Sequence, residues 1–320
     1  MNKWQKVGLA AGMGTAVIAT THIINKFIFK YATINNYTFE NKSENSYGWK
    51  FGNIAYSAYG DKNASPLLLI HDLNAYSSGY EWNNVIQHLS DTHYVYVLDM
   101  LGCGHSDKPH ITYTTYMYTQ MIQDFVINVI HKKTDIIAQG DSAPMAIMTV
   151  YSNPYIFNKL ILVSPQDIKS ALKTPDKMCE IRRYLLNSPV LGTLIYNICM
   201  SRQKLNSGFV LKYFNNKNSI SQNLIDTYSE NAHLGGSNAK YLFTSTECHY
   251  TTVSISKAVS KIDNSIYIIN GSCDTTAIES AKLYKSLNPA IESVTIENAK
   301  HYPQIEQPLK FIKNIDIFLS

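Results

Sequence analysis

Ser142, Asp274 and His301 are the residues whose types and spacing point to nucleophilic catalysis. A serine hydroxyl attacks a carbonyl carbon when a histidine takes its proton and a carboxylate orients that histidine. Each of the three follows a stretch that reads as a buried strand, and the carboxyl ends of parallel strands meet at one edge of a sheet. Each of them alone is also typical of a turn, surface or capping residue. Their placement together, each at the end of a different strand, favours a catalytic group.

The proposed nucleophile lies in residues 135–145, the stretch that the rest of the chain must position. It reads as a short buried strand, a tight turn with Ser142 at its apex two residues after Gly140, and a helix beginning near Ala143. Such a turn pushes a side chain above the sheet in a strained backbone and keeps its hydroxyl exposed. Asp141 falls one residue early for a nucleophile, and we interpret it as a neighbour that adds negative charge.

Strands and helices alternate along most of the chain, which predicts βαβ units and a mostly parallel sheet flanked by helices. The alternation of strands and helices is interrupted between residues 166 and 254, where helical segments and polar turns predict a mainly helical insertion after the sixth strand. We therefore divide the chain into an N-terminal apolar segment and linker, a first part of the core, the insertion, and a second part of the core. Their bounds are 1–34, 35–165, 166–254 and 255–320.

Five motifs taken together resemble those of the α/β-hydrolase superfamily, over roughly residues 47–165 and 262–319. They are the strand end Leu69-Ile70-His71, the run Asp99-x-x-Gly102-x-Gly104-x-Ser106-Asp107-Lys108-Pro109, the elbow Gly140-Asp141-Ser142, the loop Gly271-x-x-Asp274, and His301-x-Pro303-x-x-Glu306-x-Pro308. The resemblance implies the α/β-hydrolase fold, with a lid formed by the helical insertion. The chain order Ser, Asp, His is the order found in that superfamily.

The same resemblance implies a role for each candidate site residue. Ser142 would be the nucleophile, Asp274 the acid and His301 the base. The backbone amides of Leu73 and Ala143 would form the oxyanion hole, and no metal is implied.

The chain departs from the superfamily pattern at two positions. Asp72 stands where the loop after the first buried strand usually has the glycine of a His-Gly pair, and Pro144 replaces the last glycine of the elbow. Proline is tolerated in the first turn of a helix, because its missing N–H would be unpaired there anyway. The prediction is a serine hydrolase for an ester-like or other carbonyl substrate, a small and apolar or lipid-like molecule. The alternative is a non-catalytic ligand-binding protein on the same fold.

Composition excludes several other classes of protein. Hydrophobic residues make up 45% and charged residues 16% of the 320 residues, which indicates a folded chain with a substantial core. A net charge of +4 without a basic cluster argues against nucleic-acid binding. The five cysteines show no Cys-x-x-Cys spacing, which argues against a zinc site or a disulfide framework. No nucleotide-binding glycine loop or metal-ligand cluster occurs, so we expect no cofactor and no metal.

The N-terminal segment, residues 7–29, is apolar and flanked by lysines, with Lys3 and Lys6 before it and Lys26 and Lys30 after its apolar centre. This pattern favours a single membrane anchor, and hence a membrane-associated protein. A cleaved signal peptide and a helix packed on the protein's own body are the alternatives. Because the lysines are balanced, the side of the membrane stays open.

Overall fold

The computed structural model describes the backbone of residues 3–34 and 45–320, and the side chains of Gln5 and of residues 15–34 and 45–320. These residues form one eight-stranded sheet with helices on both faces. The strands are β1 (Asn45–Trp49), β2 (Gly52–Tyr59), β3 (Ser65–Ile70), β4 (His93–Leu98), β5 (Thr134–Gln139), β6 (Phe157–Val163), β7 (Ile266–Gly271) and β8 (Glu292–Ile296). Their spatial order is β1-β2-β4-β3-β5-β6-β7-β8.

The sheet is parallel except at one edge. β1 and β2 form an antiparallel hairpin, and β2 pairs antiparallel with β4, while β3 to β8 pair with one another only in parallel. Alternate residues of β3 enter different cores, Leu68 and Ile70 on one face and Leu67 and Leu69 on the other. A parallel strand covered on both faces must be apolar at successive positions, which explains its unbroken hydrophobic run. The mostly parallel sheet expected from the sequence is therefore confirmed.

Helices fill the connections and cover both faces of the sheet. Those of the described residues are α1 (Lys3–Ala32), α2 (Asn83–Ser90), α3 (Thr115–Phe125), α4 (Ala143–Ser152), α5 (Ile168–Ala171), α6 (Lys177–Asn187), α7 (Leu191–Cys199), α8 (Arg202–Gly208), α9 (Gln222–His233), α10 (Lys240–Glu247), α11 (Ser256–Val259), α12 (Thr275–Leu287), α13 (Pro303–Glu306) and α14 (Pro308–Leu319).

The connection between β6 and β7 contains α5 to α11 and has no strand among its residues. It has an aromatic core of its own, which includes Tyr196, Phe209 and Tyr228 and which also packs against Tyr302. Since Tyr302 follows directly after His301, this core joins the helical connection to the predicted site.

The second half of α1 packs on this helical connection. The Asn25 amide donates to the backbone carbonyl of Val190 at 3.1 Å and accepts from Asn197 at 3.0 Å, and the Phe29 ring stacks on Tyr196. In the part of the chain that the structure describes, no helix is long and apolar enough to cross a membrane. Most side chains of the first half of the expected anchor, and residues 35–44 of the first core part, lie outside the described residues.

Candidate active site

The turn after β5 has Gly140, not Ser142, at its apex. Gly140 follows the last residue of the strand directly and has a left-handed φ of +54°. Ser142 has a φ of −80° and stands at the N-cap position of α4, where its side chain makes no hydrogen bond to the helix. The left-handed region is costly for any residue with a Cβ, so the glycine takes the strained position and the serine falls two residues later. The small residues Ala138, Gly140 and Ser142 alternate along the sequence, and this pattern could have indicated Gly140 as the apex of the turn.

Ser142 and Ala143 do not meet His301 in this arrangement. The Ser142 hydroxyl is fully buried and donates to the backbone carbonyl of His71 at 2.6 Å. The Ala143 amide donates to the carbonyl of Gly140 within the turn. The serine as nucleophile and the Ala143 amide as an oxyanion donor thus stay predictions from the sequence.

Asp72 occupies the position beside His301 that the sequence assigned to the serine. Its Oδ2 lies 3.1 Å from His301 Nε2. Its Oδ1 accepts the N–H of Leu73 at 2.8 Å and that of Asp141 at 2.7 Å. Leu73 was expected in an oxyanion hole, and its amide does point into a two-donor site, together with the Asp141 amide. That site holds the protein's own carboxylate.

The histidine and the acid expected from the sequence lie next to each other. His301 Nδ1 is 3.9 Å from Asp274 Oδ2, a distance for charge attraction but too long for a hydrogen bond. Asp274 also caps α12, because its Oδ1 accepts the N–H of Ala277 at 3.0 Å. The His301 ring therefore has one carboxylate on each nitrogen, Asp72 in hydrogen-bond contact and Asp274 farther away.

Charges in this cluster shift the pKa values of its members. Burial alone would raise the pKa of Asp72, but its contact with His301 and its two amide donors hold that pKa below the usual value. Burial alone would lower the pKa of His301, but Asp72 and then Asp274 raise it. Burial, together with the charge of Asp72, raises the pKa of Asp141 to about 7 and that of Glu81 well above the usual value. These shifts favour a negative charge on Asp72 and a positive charge on the His301 ring.

Glu306 holds the loop that carries His301. One of its oxygens accepts the N–H of Lys300 at 2.7 Å, and the other accepts those of Asn215 and Asn216, each at 2.9 Å. The glutamate of the His-x-Pro-x-x-Glu motif thus ties the histidine loop to the helical connection. Its role was not assigned from the sequence, although the motif was visible there.

A cleft of about 420 Å³ opens above the cluster. His301, Asp274, Asp141 and Asn74 line it, and Asn74 also donates from its amide to Asp72 Oδ2 at 3.2 Å. The other residues that line the cleft are polar except Pro165 and Ala277: Ser164, Gln166, Asp167, Ser170, Lys173, Tyr213, Thr246, Glu247, His249, Thr251, Thr252 and Thr276. The wall therefore suits a small polar molecule better than an apolar one.

Known proteins share this architecture. Among solved structures, a serine hydrolase involved in carbazole degradation matches with a TM-score of 0.70 at 18% identity, covering 86% of this chain and 98% of the other. An epoxide hydrolase matches with 0.69 at 19%, covering 86% and 97%. A bacterial membrane phospholipase A matches with 0.67 at 19%, covering 98% and 95%. At these identities the likeness concerns the fold alone.

Sequence comparison gives a shorter match and a family. An uncharacterised protein of Mycobacterium tuberculosis is 31% identical over 98 residues, which is 31% of this chain and only 28% of that relative's length. The sequence profile of the alpha/beta hydrolase fold matches residues 65–308, most of the chain. This match spans the sheet from β3 onward and includes Asp72, Asp274 and His301. The chain belongs to the alpha/beta hydrolase fold family.

Proposed function

We propose that this protein is a hydrolase that acts on a small molecule bound in the cleft above His301. The observation that carries the proposal is the His301 ring, which lines the cleft with a carboxylate on each nitrogen. A histidine held in this way exchanges protons with a substrate or a water molecule, and its orientation is set by its acidic partner.

The polar lining of the cleft supports a polar substrate. The sequence predicted an apolar or lipid-like one, whereas carboxylates, hydroxyls, amides and one lysine form most of the wall. An apolar molecule placed there would remove these groups from water without supplying hydrogen bonds, at a cost for each group.

The test is hydrolysis of a panel of small water-soluble esters, thioesters, epoxides and haloalkanes by the purified full-length chain. We expect turnover of at least one class, lost in His301→Gln. His88→Gln is the matched control, since His88 also pairs with an aspartate, Asp316 at 3.0 Å, but on the surface. Failure of the wild-type protein on every class, or undiminished turnover by His301→Gln, contradicts the proposal.

Ser142 as the nucleophile stays a prediction and has its own test. For this role its hydroxyl must leave the carbonyl of His71 and turn toward His301. A fluorophosphonate probe that labels the wild type but not Ser142→Ala would establish the role. Equal labelling of both proteins, or of neither, rejects the serine as the nucleophile.

The arrangement of the elbow also supports a second candidate, a binding protein without turnover. With Gly140 at the apex, no side chain extends from the usual nucleophile position, and Asp72 fills the two-amide site. This candidate predicts that a ligand stabilises the protein against heat while no member of the substrate panel is consumed. Turnover abolished by His301→Gln excludes it.

We further propose that the helical connection is the lid of the cleft. The backbone carbonyl of Tyr213 accepts a hydrogen bond from the backbone N–H of His301 at 3.0 Å, and the centroids of the two rings lie 5.1 Å apart. Limited proteolysis within residues 166–254 should slow when a substrate is bound, and an unchanged cleavage rate would argue against a lid.

Membrane attachment through residues 7–29 likewise remains a proposal. It is supported by the exposed apolar side chains of α1, among them Val17, Ile18, Ile23 and Phe27. The full-length chain should sediment with phosphatidylglycerol vesicles, and deletion of residues 1–29 should abolish this. Equal sedimentation of both forms would reject the attachment.

A further inference from the structure

We propose that Asp72, in the loop after β3, is the nucleophile of this site. Its carboxylate would attack an electrophilic saturated carbon and form an ester that water then hydrolyses. The inference rests on the proposed hydrolase function and gives it a nucleophile and a substrate class. Four features of the site carry it.

The first feature is the space at the elbow. A Cβ on Gly140 would lie 2.3 Å from Asp72 Oδ1, a distance that no side chain tolerates. The apex of the turn and the Asp72 carboxylate therefore compete for one volume, and in this chain the carboxylate occupies it. The nucleophile has moved from the elbow to the neighbouring loop, while its position relative to His301 is kept.

The second feature is the different environment of the two carboxylate oxygens. Oδ1 accepts two backbone N–H groups, from Leu73 and Asp141, whereas Oδ2 faces the His301 ring. When Oδ2 carries an alkyl group, Oδ1 becomes the carbonyl oxygen of the resulting ester. It then already lies in a pair of amide donors, which stabilise the negative charge that develops when water attacks the ester carbon.

The same two amides decide the substrate class. An acyl substrate needs donors for its own oxyanion in the first step, but Asp72 Oδ1 fills the donor pair. Displacement at a saturated carbon creates no oxyanion on the carbon under attack, so it needs no such donors. The geometry therefore favours a haloalkane or an epoxide over an ester.

The third feature is the response of His301 to the first step. In the resting site the negative charge of Asp72 raises the pKa of His301 and so favours the protonated ring. Esterification removes that charge and leaves Asp274 as the nearest carboxylate, 3.9 Å from Nδ1. The ring then loses its proton more readily, and it becomes a base at the stage where a water molecule must be deprotonated.

The fourth feature is access from the cleft. Asp72 itself is only 2% exposed, but His301, Asp141 and Asn74 all line the cleft and all contact the Asp72 carboxylate. Oδ2 accepts hydrogen bonds from the Asn74 amide at 3.2 Å and from the Tyr302 hydroxyl at 3.3 Å. A substrate carbon would reach Oδ2 from the cleft after rotation of the half-buried Asn74 side chain, while Tyr302 and His301 keep the carboxylate in place.

The reaction balances without a cofactor. A bond forms between Asp72 Oδ2 and the substrate carbon, and the bond to the leaving group breaks. A halide leaves as the anion, whereas an epoxide oxygen takes a proton from Asp141, whose pKa of about 7 keeps much of it protonated at neutral pH. Water then adds to the ester carbon and gives its proton to His301. The alcohol leaves with Oδ2 and takes that proton, and the new Asp72 carboxylic acid returns its remaining proton to His301. The proton that His301 gave up after esterification is released with the halide or, with an epoxide, restores Asp141. A haloalkane and water thus become an alcohol and a hydrogen halide, and an epoxide and water become a diol.

A single-turnover experiment in ¹⁸O-labelled water tests the assignment. Excess wild-type protein is mixed with glycidol or 2-chloroethanol, and mass spectrometry measures the ¹⁸O content of the product and of the peptide that contains Asp72. We expect ¹⁸O in the Asp72 carboxylate and unlabelled oxygen in the newly formed alcohol. Label in the product alone would show direct attack by water and overturn the proposal.

Two variants extend the test. His301→Gln should accumulate an adduct with the mass of the alkyl group on Asp72, because hydrolysis of the ester lacks its base. Asp72→Asn added to His301→Gln should abolish the adduct, whereas Asp316→Asn added to His301→Gln should leave it unchanged, as a control whose carboxylate also pairs with a histidine. Thermal unfolding of each variant verifies that it is folded.

The outcomes separate this inference from the hydrolase proposal. Turnover of esters with no adduct and no label in Asp72 removes Asp72 as the nucleophile and leaves the hydrolase standing. Absence of turnover with every class of substrate rejects both the hydrolase proposal and Asp72 as the nucleophile. Adduct formation on a residue other than Asp72 also overturns the inference.

Discussion

Replacement of Gly140 with alanine measures how strongly the elbow is coupled to Asp72. The added Cβ would lie 2.3 Å from Asp72 Oδ1, and the φ of +54° is left-handed. A left-handed conformation costs an L-residue about 1–2 kcal/mol. Displacement of the carboxylate weakens two hydrogen bonds to a charged acceptor, each worth about 1.5–3 kcal/mol. We expect the free energy of unfolding to fall by about 4 kcal/mol, the lower end of the sum, because the loop relaxes.

Two other glycines separate these causes in urea denaturation. Gly236 is also left-handed, with a φ of +62°, but nothing lies within 4 Å of its added Cβ. Gly236→Ala should therefore cost only the conformational part, about 1–2 kcal/mol. Gly208 ends α8 with a negative φ and open space around it. Gly208→Ala should be neutral or raise the free energy of unfolding by up to about 1 kcal/mol.

The double variant Gly140→Ala with Asp72→Gly completes the measurement. Removal of the carboxylate removes the collision, so the two losses should combine to less than their sum, by about 2 kcal/mol or more. The reasoning fails if Gly140→Ala costs no more than Gly236→Ala, or if the losses of the double variant are additive.

Three further predictions follow from the same site. Folding lowers the pKa of Asp72, so the stability that this carboxylate contributes is present above its ordinary pKa of 3.8 and is lost as pH falls through its pKa in the folded protein. Folding raises the pKa of His301, so the stability that this ring contributes is present below its ordinary pKa of 6.5 and is lost as pH rises through its pKa in the folded protein. The loss of unfolding free energy in Asp72→Asn should therefore be largest between pH 3.8 and 6.5 in denaturation at several pH values, and a loss independent of pH would contradict the ion pair. Glu306→Gln places an NH₂ group against a backbone donor, so urea denaturation should show a loss of about 1–3 kcal/mol and kcat should fall because the His301 loop loosens; unchanged kinetics would show that the loop is held otherwise. Ser142→Ala removes one hydrogen bond to the carbonyl of His71, so we expect a loss of about 1 kcal/mol in the free energy of unfolding with turnover retained. Abolished turnover in a folded variant would instead support the serine as the nucleophile.

The sheet was predictable from the sequence because its signal is local. Residues 66–70 form an unbroken apolar run, and a strand buried on both faces has no other way to satisfy its environment. Alternating aromatic and polar residues over 47–59 likewise indicate the hairpin of β1 and β2, which turns at Lys50 and Phe51. The placement of Asp274 and His301 followed from the strands before them, since the carboxyl ends of β7 and β8 lie side by side.

The elbow was not predictable in the same way. Both Gly140 and Ser142 are small residues that suit a tight turn, and the sequence does not state which of them adopts a positive φ. That choice depends on the carboxylate of Asp72, which lies 69 residues before Asp141 in the chain and reaches the turn only when β3 and β5 pair. Parallel pairing brings the ends of these strands together, and a local pattern contains no information about the contact.

The sequence by itself therefore determined the strands, the helical connection and the neighbouring positions of His301 and Asp274, because burial and strand ends are encoded in runs of neighbouring residues. Only the tertiary structure decided which group faces His301. It placed Asp72 in the two-amide site and the Ser142 hydroxyl against a backbone carbonyl. The physical reason is that one small volume at the end of β5 admits either a side chain at the apex or the Asp72 carboxylate, and Gly140 leaves it to the carboxylate.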